Sequence, residues 1–70
     1  MKMIPVDSSN LSAVGYDLKA KTMHIRFQSG RLYAYYDVPE DIYTDLMNAD
    51  SLGSYFNSFI KGAFAYAKLS

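Results

Sequence analysis

The sequence predicts an α+β domain: a three-stranded antiparallel meander, preceded by a short extended segment, packed against two C-terminal helices. Three observations predict it. Apolar residues alternate in period two through the first half of the chain and recur at 3.6 in the second. Pro39 stands where the period changes. The length, 70 residues, allows one domain, with its core over residues 4–66.

The elements follow in order. Ile4-Pro5-Val6 is an extended entry, and Asp7-Ser8-Ser9-Asn10 is a turn. From Ala13 to Leu18 the pattern alternates, with Val14, Tyr16 and Leu18 on one side. Lys19-Ala20-Lys21 is a polar connection. Met23, Ile25 and Phe27 then alternate with His24, Arg26 and Gln28, as a half-buried strand does. Gln28-Ser29-Gly30 is a turn, and Arg31 to Val38 forms the third strand. Pro39 suits the first turn of a helix, and Glu40 and Asp41 complement its N-terminal dipole. With Ile42, Leu46, Met47 and Ala49 as an apolar stripe, the helix spans 39–48. Asp50 or Ser51 caps a second helix. There Leu52, Tyr55, Phe56, Phe59 and Ile60 recur at helical spacing, and Gly62 stops it. Phe64 and Tyr66 fold back as a short tail.

The register of the third strand leaves two options. If Ser29-Gly30 is a two-residue turn, Phe27 pairs with Leu32, and Tyr33 and Tyr35 lie on the outer face with His24 and Arg26. If the loop has three residues with Gly30 left-handed, Phe27 pairs with Arg31. Tyr33 and Tyr35 then face the core, and Tyr36 joins the outer face. One residue of slip exchanges the two faces. The second option suits Gly30 and gives a small core its large rings. It is preferred, with the first left open.

Composition sets exclusions. Seven Lys/Arg balance seven Asp/Glu, and half the residues are hydrophobic. That balance argues against a strongly basic nucleic-acid clamp and against a disordered tail. The absence of cysteine excludes disulfides, thiolate metal sites and cysteine nucleophiles. A chain this short buries only about 60% of its extended surface, so its core is marginal. Eleven aromatic residues, seven of them Tyr, compensate. The N-terminal residues form no apolar signal segment, and the longest apolar run, Leu32 to Tyr36, is too short to cross a bilayer. A soluble cytoplasmic protein is expected.

Several pieces together resemble the KTSC domain, named for the C-terminus of some lysyl-tRNA synthetases. They are Val6-Asp7-Ser8-Ser9, Val14-Gly15-Tyr16-Asp17, Met23-His24-Ile25-Arg26-Phe27, Gly30-Arg31-Leu32-Tyr33-Ala34-Tyr35, Asp37-Val38-Pro39, and Ala49 to Asn57 with Ile60-Lys61. The Tyr-x-Tyr centre, Tyr33 and Tyr35, is the family's hallmark, and the order and spacing of the pieces together carry the likeness, which covers residues 4–66. The family occurs as a synthetase appendage and as small stand-alone proteins of bacteria and phages; this chain looks like the second kind. The resemblance implies a binding role, with RNA suggested by the synthetase context. Ala34 departs from the longer polar residue common there and removes one sheet-face contact.

Two constellations could carry chemistry. Tyr33, Tyr35 and Tyr36 with Arg26 and His24 could stack bases of a single strand, at about 1–3 kcal/mol per base. The plainer alternative packs the tyrosines in the core; zero net charge favours it, because nonspecific affinity comes from phosphate neutralisation. Gly53, Asn57 and Lys61 share one face of the second helix. Ser51 and Gly53 at its start could hold a phosphate or carboxylate, with Asn57 as a hydrogen-bonding partner. Lys61, about two turns on, meets only an extended ligand. The alternative is a Ser cap, a space-clearing glycine and solvated polar residues. Ser8, Ser9 and Asn10 are either ligand contacts or a side-chain-bonded turn. His24 lacks a nearby nucleophile and reads as an exposed strand residue. Asp37, Glu40, Asp41 and Asp45 lack calcium-ligand spacing and complement the first helix.

The expected function is a non-enzymatic module binding RNA or a nucleotide through Arg26, Tyr33, Tyr35, Tyr36, Ser51, Gly53, Asn57 and Lys61, with no cofactor, metal or membrane. The alternative is a protein–protein adaptor or self-associating phage or bacterial protein, including an oligomer that sequesters a small nucleotide between subunits. Homo-oligomerisation stays open.

Overall fold

A computed structural model describes residues 2–70. Five strands form one sheet in the order β1-β2-β3-β4-β5, every neighbour antiparallel. They are β1 (Met3–Pro5), β2 (Leu11–Asp17), β3 (Thr22–Phe27), β4 (Leu32–Tyr35) and β5 (Tyr66–Lys68). The helical segments α1 (Glu40–Met47), α2 (Leu52–Tyr55) and a π turn (Phe56–Ile60) lie between β4 and β5 in sequence. The α+β class holds, but the sheet has five strands instead of three. The N-terminal extended segment is a full edge strand, pairing Ile4 with Val14, and the C-terminal tail is the other edge, pairing Tyr66 with Tyr35. Each is three residues long, too short to show a period. Pro5 is tolerated because an edge strand leaves one side unbonded.

A bulge explains the reading of β2. Leu11 pairs with Phe27 but Ala13 pairs with Arg26, so Ser12 is the extra residue. The inserted residue shifts the alternation and sends both Leu11 and Val14 inward, each 0% exposed. Leu18, expected on the apolar side, lies beyond the strand and is exposed. There Asp17 ends β2: its Oδ1 accepts the Lys19 and Ala20 backbone N–H groups at 3.0 and 3.2 Å, and the chain turns.

The three-residue loop sets the register of β4. Gly30 has φ +93°, its N–H donates to Phe27 O at 2.8 Å, and Phe27 N–H donates to Arg31 O at 2.9 Å. Ile25 then pairs with Tyr33 and Met23 with Tyr35, so both tyrosines face the core. The opposite face carries Gly15, His24, Ala34 and Ala67 in one cross-strand row.

The helices cover the core face. Pro39 is the N-cap of α1, which begins at Glu40, one residue inside the expected start, and Leu46 is fully buried. Ser51 caps α2, its Oγ accepting the Ser54 N–H at 3.2 Å. The second helix departs from α geometry after Tyr55. Lys61 N–H donates to Phe56 O at 2.9 Å, an i→i+5 bond that widens the turn. A wider turn brings Ile60 rather than Phe59 under Phe56. Phe56 and Ile60 are buried, while Phe59, expected inside, is 55% exposed. Gly62 adopts φ +80° and ends the helix. Leu11, Val14, Met23, Ile25, Tyr35, Val38, Leu46, Phe56 and Ile60 form one core cluster.

Candidate functional site

The sheet and helices leave a cavity of about 520 Å³ at one corner of the core face. Its walls are aromatic: Phe27, Tyr33, Tyr35, Phe56 and Tyr66. Phe27 meets Tyr33 and Phe56 edge-on, with centroids 5.5 and 5.4 Å apart. Tyr35 meets Phe56 edge-on at 5.6 Å. Tyr66 leans over both strand tyrosines, 5.8 Å from Tyr33 and 5.7 Å from Tyr35. Asn10, Ser29, Arg31, Asn57, Lys61 and Gly62 complete the lining, with no carboxylate among them.

Each wall follows from local structure. Because Gly30 fixes the register, Arg31, Tyr33 and Tyr35 succeed one another on the same face of the strand. Their rows are about 7 Å apart, twice the rise per residue. The π turn presents Asn57 and Lys61 from the facing wall, with Phe56 buried beside them. Tyr66 arrives through β5.

The hydroxyls are the polar groups inside the aromatic wall. The Tyr35 side chain is 5% exposed, and among the described residues no protein group bonds its hydroxyl. Yet no buried side-chain oxygen or nitrogen among those residues lacks a partner. The hydroxyl therefore opens into the cavity. Burial, followed by the Tyr33 and Tyr66 phenols, pushes its pKa up to about 12, so it stays a protonated donor at neutral pH. Acidic charge gathers elsewhere. Burial raises the Tyr16 phenol, with Glu40, Asp41 and Asp17 adding to the effect. Burial also raises Tyr55, helped by Asp45 and Asp41.

Of the residues expected at a site, Tyr33, Tyr35, Asn57 and Lys61 meet at the cavity, with Asn10 from the turn before β2. The others do not join them. Arg26 lies on the opposite sheet face, and its Nη1 donates to Gly30 O at 2.7 Å. Tyr36 is exposed past the end of β4. The single stacking platform is thus split between two faces. Ser51 is occupied as a cap, its Oγ also 3.1 Å from Ser54 Oγ. Gly53 packs beside the turn before β2, where an added Cβ would lie 3.7 Å from Asn10 Cβ and 3.8 Å from Ser8 Oγ. Ser8 holds that turn: its Oγ accepts the Asn10 and Leu11 N–H groups, both at 3.2 Å. His24 sits on the far face opposite Ala34.

Sequence reasoning missed Arg31, Phe27, Phe56, Tyr66 and Ser29 as cavity residues. Arg31 had a signal, since it alternates with Tyr33 and Tyr35 once the three-residue loop is accepted. Tyr66 had none, because nothing local predicts that the tail pairs with β4.

A five-stranded antiparallel sheet with helices on one face and an aromatic cavity at its corner defines a small α+β domain. The relatives place it further. The sequence profile of the KTSC domain matches residues 7–64, and the chain belongs to that family. A crystal structure of a KTSC domain protein from Yersinia pestis superposes with a TM-score of 0.96 at 35% identity, covering 99% of this chain and 97% of that one. A small protein of Tsukamurella paurometabola is 40% identical over 62 residues, 89% of this chain and 92% of its own length. A lysine–tRNA ligase of Nostoc punctiforme is 40% identical over 68 residues, 97% of this chain. This chain spans only 12% of that ligase.

Proposed function

We propose that this domain is a non-enzymatic binding module for RNA or a nucleotide. The observation that carries the reading is the cavity: aromatic walls, two cations at Arg31 and Lys61, and no carboxylate. Aromatic faces stack on bases without strong sequence preference, and cations beside them meet phosphate. The walls accept a base, the asparagine amides and tyrosine hydroxyls offer hydrogen bonds to its edge, and the cations meet the backbone. The lysine–tRNA ligases that carry a similar segment support RNA as one source of the ligand. Titration of tRNA and short single-stranded oligonucleotides at low salt tests the reading. Binding is expected to weaken in Arg31→Glu and Lys61→Glu and to persist in Arg26→Glu, whose side chain faces away. No binding at about 100 μM, where even nonspecific nucleic-acid contacts register, removes the reading.

A second reading, a protein–protein adaptor or self-associating protein, is favoured by one surface feature. Phe59 is 55% exposed and meets Tyr55 in a tilted pair with centroids 4.7 Å apart, and exposed aromatic residues are enriched at interfaces. Co-purification of one defined partner, insensitive to nuclease and lost in Phe59→Ser, supports it. A chain that co-purifies with no partner and is monomeric by light scattering excludes it.

A further inference from the structure

Resting on the RNA-or-nucleotide reading, we infer that the cavity is a seat for one nucleoside monophosphate unit, its base against the accessible sides of Tyr66 and Tyr33 and its phosphate between Arg31 and Lys61. Three observations lead there. The first is closure. Sheets that read RNA on an open face stack two or three bases in a row. Here the core face is covered at its centre, with Met23 and Ile25 0% exposed, and the cavity opens at its corner. Phe27 and Phe56 pack edge-on against each other at that corner.

The second observation is size. A cavity of about 520 Å³ falls within the roughly 300–1,000 Å³ typical of single small-molecule sites. The third is spacing. Arg31 lies one side-chain row from Tyr33, about 7 Å along the strand. That separation suits a base stacked on the ring and its own phosphate at the guanidinium. Lys61 reaches the same lining from the π turn, and no carboxylate competes for either cation. Tyr35, with its hydroxyl directed inward, adds a hydrogen-bond donor for the base edge.

Isothermal titration at low salt tests the seat with AMP, UMP, adenosine, inorganic phosphate and single-stranded oligonucleotides of rising length. The monophosphates are expected to bind one per chain. Adenosine should bind about tenfold or more weakly, the share of one charge-assisted hydrogen bond to phosphate. Arg31→Gln should bring AMP affinity towards that of adenosine without lowering thermal stability. Oligonucleotides binding no tighter than AMP, beyond the statistical gain of repeated units, support the seat and assign it to either source. A marked preference for the free monomer also supports it and assigns it to nucleotides. Oligonucleotide binding without mononucleotide binding overturns the single-unit seat and leaves RNA recognition standing. Inorganic phosphate binding as tightly as AMP overturns the seat by making the aromatic walls irrelevant. Silence from every nucleotide at every length overturns both readings together.

Discussion

Tyr35 separates what a ring contributes to the fold from what its hydroxyl contributes to the cavity. The ring packs against Phe56 and Tyr66, with centroids 5.6 and 5.7 Å away, and only 5% of the residue is exposed. Truncating such a ring to Ala costs about 3–5 kcal/mol. A domain of this size holds only about 4–10 kcal/mol in total, from 0.05–0.15 kcal/mol per residue. Tyr35→Ala should therefore lose about a third or more of the stability. The hydroxyl has no protein partner among the described residues, so Tyr35→Phe strands no buried group and should cost under about 1 kcal/mol. Urea unfolding followed by circular dichroism reads both values. With a slope of about 1 kcal/mol/M for a small chain, the Ala variant should lose roughly 3 M or more of midpoint, or be unfolded without urea. The Phe variant should barely move. Equal losses in the two variants would refute the assignment of the hydroxyl to the cavity. A small loss in Tyr35→Ala would put the ring outside the core.

The same residue predicts an alkaline effect: the unfolded chain releases the Tyr35 proton near pH 10, while the folded chain keeps it to about 12. The unfolded state then binds fewer protons, so stability should fall as pH rises from about 10 to 12 and be unaffected by this group below that range. Urea midpoints across the range, compared with Tyr35→Phe, check this; an unchanged slope in the variant contradicts it. Gly30→Ala should cost about 1–2 kcal/mol, because φ +93° is strained for an L-residue although nothing lies within 4 Å of the added carbon; a neutral melting temperature would show that the loop can relax. Gly53→Ala should stabilise by up to about 1 kcal/mol through helix propensity, since its new contacts at 3.7 and 3.8 Å are ordinary, and should leave nucleotide binding intact. Tyr66→Ala, at a residue 60% exposed, should cost little stability but weaken nucleotide binding by roughly tenfold, the loss of one stacking face; binding unchanged in a stable variant would remove Tyr66 from the site.

The sequence was most readable where local chemistry decides local geometry. The alternation of Met23, Ile25 and Phe27 marks β3, Pro39 and the acidic pair after it mark α1, and Ser51 marks the start of α2. Gly30 carried the register, because only a left-handed third loop residue makes Phe27 face Arg31. Legibility ended where distant segments decide. The strands β1 and β5 exist through pairing with β2 and β4, which three-residue stretches cannot announce. The π turn hides behind an α-like pattern: Phe56, Phe59 and Ile60 fit both, and only packing under the sheet chooses Ile60 over Phe59. The cavity combines residues from β3, β4, the π turn and β5, so only part of it was visible in Tyr33, Tyr35, Asn57 and Lys61. Arg26 was misplaced as a partner of Tyr33 because the favoured register puts neighbouring strand residues on opposite faces.

The order of strands has a practical consequence for attaching this domain to other things. β1 and β5 are opposite edges of the sheet, four interstrand spacings or about 19 Å apart. A fluorophore, affinity handle or fusion partner joined ahead of Met3 hangs from the edge remote from Tyr66 and leaves the cavity mouth clear. The same cargo joined after Lys68 rides on the strand that forms one wall of it. Immobilisation for binding measurements should therefore use the leading end of the chain.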